Sequence, residues 1–111
     1  MKKVILLIAI LFVTSNLWAH SPKKLELIYA KGTKELSIKA AHKVKDVKKH
    51  YISYVLITLN GEEIKKVEYT EQTSKKSFTV KIPLDAKVGD IIEVTAKCNK
   101  LGRKTGTLKI N

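Results

Sequence analysis

The sequence predicts an all-β fold, an immunoglobulin-like antiparallel β-sandwich of about seven strands. Three observations predict it. No segment carries a sustained helical period, short runs rich in β-branched residues recur at about ten-residue spacing, and turn residues separate them. A chain of 111 residues is long enough for one such domain and too short for a two-domain enzyme with a deep interdomain cleft.

The first 19 residues stand apart from that domain. Lys2 and Lys3 precede an unbroken apolar run over residues 4–13, and Leu17-Trp18-Ala19 supplies a small-residue cleavage point. This is the pattern of a secretory signal, and the apolar run is too short for a membrane span, which takes about 20 residues. The expected mature domain is therefore residues 20–111, secreted or periplasmic, with net charge +10 and no tryptophan.

Leu25, Leu27 and Tyr29 form one alternating row, Lys31-Gly32-Thr33 turns the chain, and Leu36, Ile38 and Ala40 form the next row, so these residues read as a hairpin. The segment from Tyr51 to Leu59 is apolar on both faces, as a central strand requires. Asn60-Gly61 after it is the strongest short hairpin signal in the chain, which makes residues 62–69 its partner. Within that partner Ile64 and Val67 fall on opposite parities, predicting a bulge or an edge position. Phe78, Val80 and Ile82 alternate up to Pro83; Ile92, Val94 and Ala96 alternate next; Leu108 and Ile110 close the chain. Two irregular stretches remain, residues 41–50 and 98–105, and in a sandwich such connections are where functional groups sit.

His42 continues the parity of Leu36, Ile38 and Ala40, and Cys98 continues that of Ile92, Val94 and Ala96. Both lie one step beyond a core row, so they are expected to meet at one end of the sandwich. His50 closes the 41–50 connection immediately before the central strand. One cysteine cannot form an internal disulfide, which leaves Cys98 as a buried thiol, a metal ligand or a site of pairing between chains. Imidazole and thiolate together suit iron, copper or zinc.

Charge narrows the partners. Lysine and arginine number 22 against 10 acidic residues, and Lys43, Lys45, Lys48 and Lys49 crowd the His42–His50 connection with Asp46 alone opposing them. Such a field concentrates small anions. No aromatic side chains interleave with the lysines as stacking platforms, which argues against nucleic acid. There is no glycine-rich phosphate loop, and Glu62-Glu63 beside a hairpin turn reads as a solvent-facing pair.

The run His42-Lys43-Val44-Lys45-Asp46-Val47-Lys48-Lys49-His50 leading into Tyr51-Ile52, then Asn60-Gly61, then Cys98-Asn99-Lys100-Leu101-Gly102, resembles the iron-binding domain of the desulfoferrodoxin and superoxide reductase family. The resemblance spans roughly the mature chain and is nearest the exported single-domain branch, whose opening His-x-Pro is matched by His20-Ser21-Pro22. It implies an immunoglobulin-like sandwich holding ferrous iron through four histidines and an axial cysteine, with an electron passed to superoxide at an open position. An external electron donor is then required. On that pattern His42, His50 and Cys98 are metal ligands and His20 is a weaker match. The family's last histidine falls on Leu101, the connection between the paired histidines is longer than the family's, and the Glu-Lys expected before the first histidine would lie within the signal.

A reading from another class is a non-catalytic binding module. Cleavage after Ala19 would make His20 the amino terminus, where its amine and ring nitrogen suit Cu(II); a sandwich that keeps the fold without a metal is the other form of this reading.

Overall fold

The computed structural model describes residues 22–111; the expected signal and His20 lie outside the described residues. Seven strands follow one another as β1 (Lys24–Ala30), β2 (Glu35–Ala41), β3 (Ile52–Leu59), β4 (Glu62–Glu68), β5 (Ser77–Pro83), β6 (Ile91–Cys98) and β7 (Arg103–Lys109), with no helix among the described residues. They form a three-stranded sheet in the order β1-β2-β5 and a four-stranded sheet in the order β4-β3-β6-β7, every pairing antiparallel. The chain crosses between the sheets after β2, β4 and β5, the connectivity of an immunoglobulin-like sandwich.

Alternation on the strands explains the core. Leu36, Ile38 and Ala40 of β2, Phe78 and Ile82 of β5, Val55 and Ile57 of β3, and Ile92, Val94 and Ala96 of β6 are all buried between the sheets. Burial of this row against its counterpart is what locks the register, because a slip by one residue would turn each set outward. On one side the sheets approach each other through β1 and β7. Gly106 permits this: a Cβ there would stand 3.1 Å from the Leu25 side chain. The Tyr29 hydroxyl donates to the Leu84 carbonyl (2.6 Å) and accepts from the Ala86 N–H (3.0 Å), fixing the β5–β6 connection to β1.

Two irregularities shape the four-stranded sheet. Ile57 pairs with Lys65 but Thr58 with Glu63, so Ile64 is an extra residue in the edge strand β4, and the expected bulge and edge position coincide. Ile52 pairs with Cys98 but Tyr54 with Lys97, so Ser53 is an extra residue in the central strand β3. The second bulge reverses parity: Ile52 and Val55 differ by an odd number of positions, yet both are fully buried. Two bonds hold it: Ser53 Oγ donates to the Lys97 carbonyl (3.1 Å), and the Ser53 carbonyl accepts from Tyr69 N–H (2.9 Å).

The expected irregular stretches are corrected at their bounds. Ala41 still belongs to β2, and β7 begins at Arg103, so the second connection is only residues 99–102. Gly102, at φ 93°, lets the chain reverse that tightly, and Cys98 N–H donates to its carbonyl at 3.1 Å. Tyr69 lies beyond the end of β4, and residues 70–76 after it form a third irregular stretch leading to β5, with no apolar alternation to mark it in the sequence.

The β3–β4 turn tests the backbone argument. Asn60 and Gly61 both have positive φ, 52° and 86°, and open space surrounds the position a Gly61 Cβ would take. Gly61→Ala is therefore expected to lower stability by about 1 kcal/mol through backbone conformation alone, read by denaturant unfolding. An unchanged unfolding midpoint would contradict it.

Candidate metal centre

Three segments converge at the end of the sandwich where β2 stops, β3 starts and β6 stops. Beyond β2 the chain keeps pairing with the stretch before β5: His42 N–H donates to the Lys76 carbonyl (3.1 Å) and Val44 N–H to the Lys75 carbonyl (2.7 Å). His42 therefore continues the inward row of β2 and is buried. Val44, also buried, pins the connection to the domain. Asp46 then turns the chain: its side-chain oxygen accepts from Lys48 N–H (2.9 Å), and its carbonyl accepts from Lys49 N–H (3.1 Å) and His50 N–H (3.0 Å).

The turn delivers His50 two residues ahead of Ile52, on the face that the Ser53 bulge has swung inward. Asn99 holds it there. Its backbone N–H donates to the Tyr51 carbonyl (2.9 Å), its side-chain oxygen accepts from Tyr51 N–H (2.9 Å), and its side-chain nitrogen donates to the Lys49 carbonyl (3.0 Å). His50 is thus bracketed on both sides by one asparagine, itself adjacent to Cys98.

His50 Nε2 lies 3.0 Å from Cys98 Sγ, and the rings of His42 and His50 meet edge to face with centroids 4.7 Å apart. One donor atom from each of His42, His50 and Cys98 falls within 4.8 Å of the other two. Cys98 is fully buried and unpaired by any disulfide, so it does not present its sulfur to another chain. Lys100 N–H approaches that sulfur at 3.4 Å, a backbone donor directed at it from the turn after β6. Of the sequence-derived candidates, the structure brings together His42, His50 and Cys98; His20 lies outside the described residues.

His42 and His50 line a cleft of about 560 Å³, and Cys98 sits behind them. Lys23, Lys43, Lys45, Lys49 and Lys100 also line it, against Asp46. Lys48 of the expected cluster does not, while Lys23 and Lys100 join from elsewhere in the chain. The ion pairs among the described residues are Lys24–Glu26 (3.1 Å) and Lys34–Asp85 (3.9 Å), so no carboxylate neutralises the five cleft lysines directly. The cleft mouth is cationic.

Sequence reasoning missed Gln72. It lies in the 70–76 stretch, is 3% exposed, and places its side-chain oxygen 2.7 Å from His42 Nδ1. Its side-chain nitrogen donates to the carbonyls of His42 (2.7 Å) and Ser74 (2.8 Å). One polar residue within the run Thr70-Glu71-Gln72-Thr73-Ser74 carries no periodic signal by which it could have been found.

No protein-family model matches this chain, and no curated protein matches it. Solved structures do. It is similar to the superoxide reductase (neelaredoxin) from Ignicoccus hospitalis, at 15% identity and TM-score 0.48, over 83% of this chain and 80% of that one. Two variants of that protein give 16% identity with TM-scores 0.49 and 0.48, over 83% of this chain and 79% of theirs. The strand order and register given above assign the sandwich independently of these comparisons.

The Asn99 bracket is directly testable. Asn99→Ala removes two side-chain hydrogen bonds that join residues 49–51 to the β6–β7 turn, and is expected to cost about 1–2 kcal/mol in denaturant unfolding while leaving the β-sheet circular dichroism intact. Stability equal to wild type would show that the bracket contributes nothing.

Proposed function

We propose that this chain is an exported metal-binding protein, with His42, His50 and Cys98 as ligands of an iron centre whose chemistry resembles that of superoxide reductase. The observation that carries the reading is the convergence of two imidazoles and a thiol from three separate segments, their donor atoms within 4.8 Å of each other. The set fits iron by donor chemistry, since imidazole and thiolate are both ligands for it. Pro22 is fully buried and Lys23 lines the cleft. His20, which opens the expected mature chain two residues before Pro22, is proposed as a fourth ligand.

Bound iron would supply a one-electron couple, with thiolate ligation as one lever on its potential. The protein's own groups do the rest. Burial of Cys98 keeps water from its sulfur, the Asn99 bracket orients His50, and the five lysines raise the local concentration of a small anion, proposed to be superoxide, in the cleft that both histidines line. The electron is proposed to come from an external donor.

The donor count also favours a second reading. Two imidazoles and one thiolate form the primary ligand set of copper electron-transfer sites. On that reading the chain carries copper or electrons and does not turn over an anion. Metal analysis of the exported protein decides between the two.

For the iron reading, Cys98→Ser is expected to abolish the thiolate-to-iron absorption band. Leu101, in the tight turn after Cys98, is 48% exposed and can be exchanged without disturbing the core. Leu101→His is expected to tighten Fe(II) binding and raise superoxide turnover. Retention of the band in Cys98→Ser, or exclusive copper loading of the wild type, would overturn the iron assignment.

Salt dependence tests the cationic cleft separately. The rate with superoxide is expected to fall as ionic strength rises from 0.01 to 0.5 M, because the screening length shrinks from about 30 Å to well under 10 Å over that range. Replacing Lys43 and Lys49 by glutamate should flatten the slope, because the swap takes the charge lining the cleft from five lysines against Asp46 to an equal balance. A rate indifferent to salt in both proteins would remove the lysines from the function.

A further inference from the structure

Gln72 has a more specific consequence than anchoring a turn. A carboxamide has one face that only donates and one that only accepts. Here the donating nitrogen meets two backbone carbonyls, those of His42 and Ser74, at 2.7 and 2.8 Å, and neither can supply a proton. Rotating the amide by a half-turn would set oxygen against two oxygens, so the hydrogen-bond network fixes the orientation. The side-chain oxygen must then face His42 Nδ1, at 2.7 Å, and an amide oxygen can only accept. Nδ1 therefore carries the proton. In the neutral ring the lone pair belongs to Nε2.

We propose that Gln72 is a positioning residue that holds neutral His42 in its Nδ1–H tautomer and so selects Nε2 as the metal-binding nitrogen. The metal half of this inference rests on the reading of His42 as a ligand; the tautomer half does not. A histidine that binds metal through one nitrogen is oriented by what the other nitrogen bonds, and loss of such a partner typically costs about 10–100-fold in affinity. The device is anchored at four points. Gln72 N–H donates to the Val47 carbonyl (3.0 Å), tying the 70–76 stretch to the connection between His42 and His50, and the remaining three contacts are those of its side chain. Glutamate here would aim a second acceptor at two carbonyls, and leucine would fill similar space while leaving Nδ1 without its acceptor.

The experiment is long-range ¹H–¹⁵N correlation of the histidine rings in the metal-free protein at a pH where His42 is neutral, joined to Fe(II) titration. The wild type is expected to show a pyrrole-type, protonated Nδ1 and a pyridine-type Nε2 for His42. Gln72→Leu is expected to give mixed tautomers and Fe(II) affinity about 10–100-fold weaker. Gln72→Met, of similar length but without the amide, is the second variant if Gln72→Leu does not fold, and mixed tautomers are again expected. The proposal is overturned by an Nε2–H tautomer in the wild type, or by an unchanged tautomer in the folded Gln72→Leu or Gln72→Met protein. If the wild type shows the expected tautomer but binds no Fe(II), the iron reading fails while the assignment of Gln72 to His42 stands.

Discussion

The site depends on one extra residue in a central strand. Without Ser53 as a bulge, β3 would keep a single parity from Val55 back to its start, and the even-numbered positions, Ile52 and the preceding His50, would face away from the core. The bulge exchanges the two faces at the mouth of the sandwich. Ile52 then enters the core opposite Cys98, and His50 arrives beside the sulfur. Everything else at this end, the Asp46 turn, the Asn99 bracket and the extension of β2 to His42, refines a placement that the β3–β6 register has already made.

The division of labour across this end follows from burial. A thiol is small and apolar enough to occupy a core position, so Cys98 can finish the inward row of β6 without a packing penalty. Histidine is less easily accommodated: His42 is buried and each of its ring's polar needs must be met from nearby, which the Gln72 amide does at Nδ1. His50 is half-buried and faces both sulfur and cleft. Polarity thus increases in steps from core to solvent, ending in a ring of ammonium groups whose mutual repulsion is tolerable because the lysine side chains are exposed.

Most of the sandwich could be read from the chain because strand alternation and turn chemistry are local signals. Leu36-Ile38-Ala40 and Ile92-Val94-Ala96 declared their faces, Asn60-Gly61 declared its hairpin, and extending the two rows by one step placed His42 and Cys98 at the same end. What escaped is non-local. The Ser53 bulge was hidden because residues 51–59 are apolar on both faces, which masks a change of parity. Apolar alternation alone leaves Arg103 in a connection, because a β-strand rich in lysine, arginine and threonine lacks an apolar rhythm. Gln72 acts through two carbonyls and a ring that only the folded chain brings to it.

The bulge at Ile64 bears on a different matter, how a protein that is mostly strand avoids associating through its edges. Among the described residues β4 pairs with β3 on one side and with no strand on the other, and an incoming chain would need several consecutive amides and carbonyls in regular spacing to add itself there. The extra residue interrupts that spacing in mid-strand, and Glu62, Glu63, Lys65, Lys66 and Glu68 are charges an intruding strand would have to desolvate. An irregular, charged border of this kind works as a guard against templated aggregation, of most use while the domain is newly folded and crowded by copies of itself.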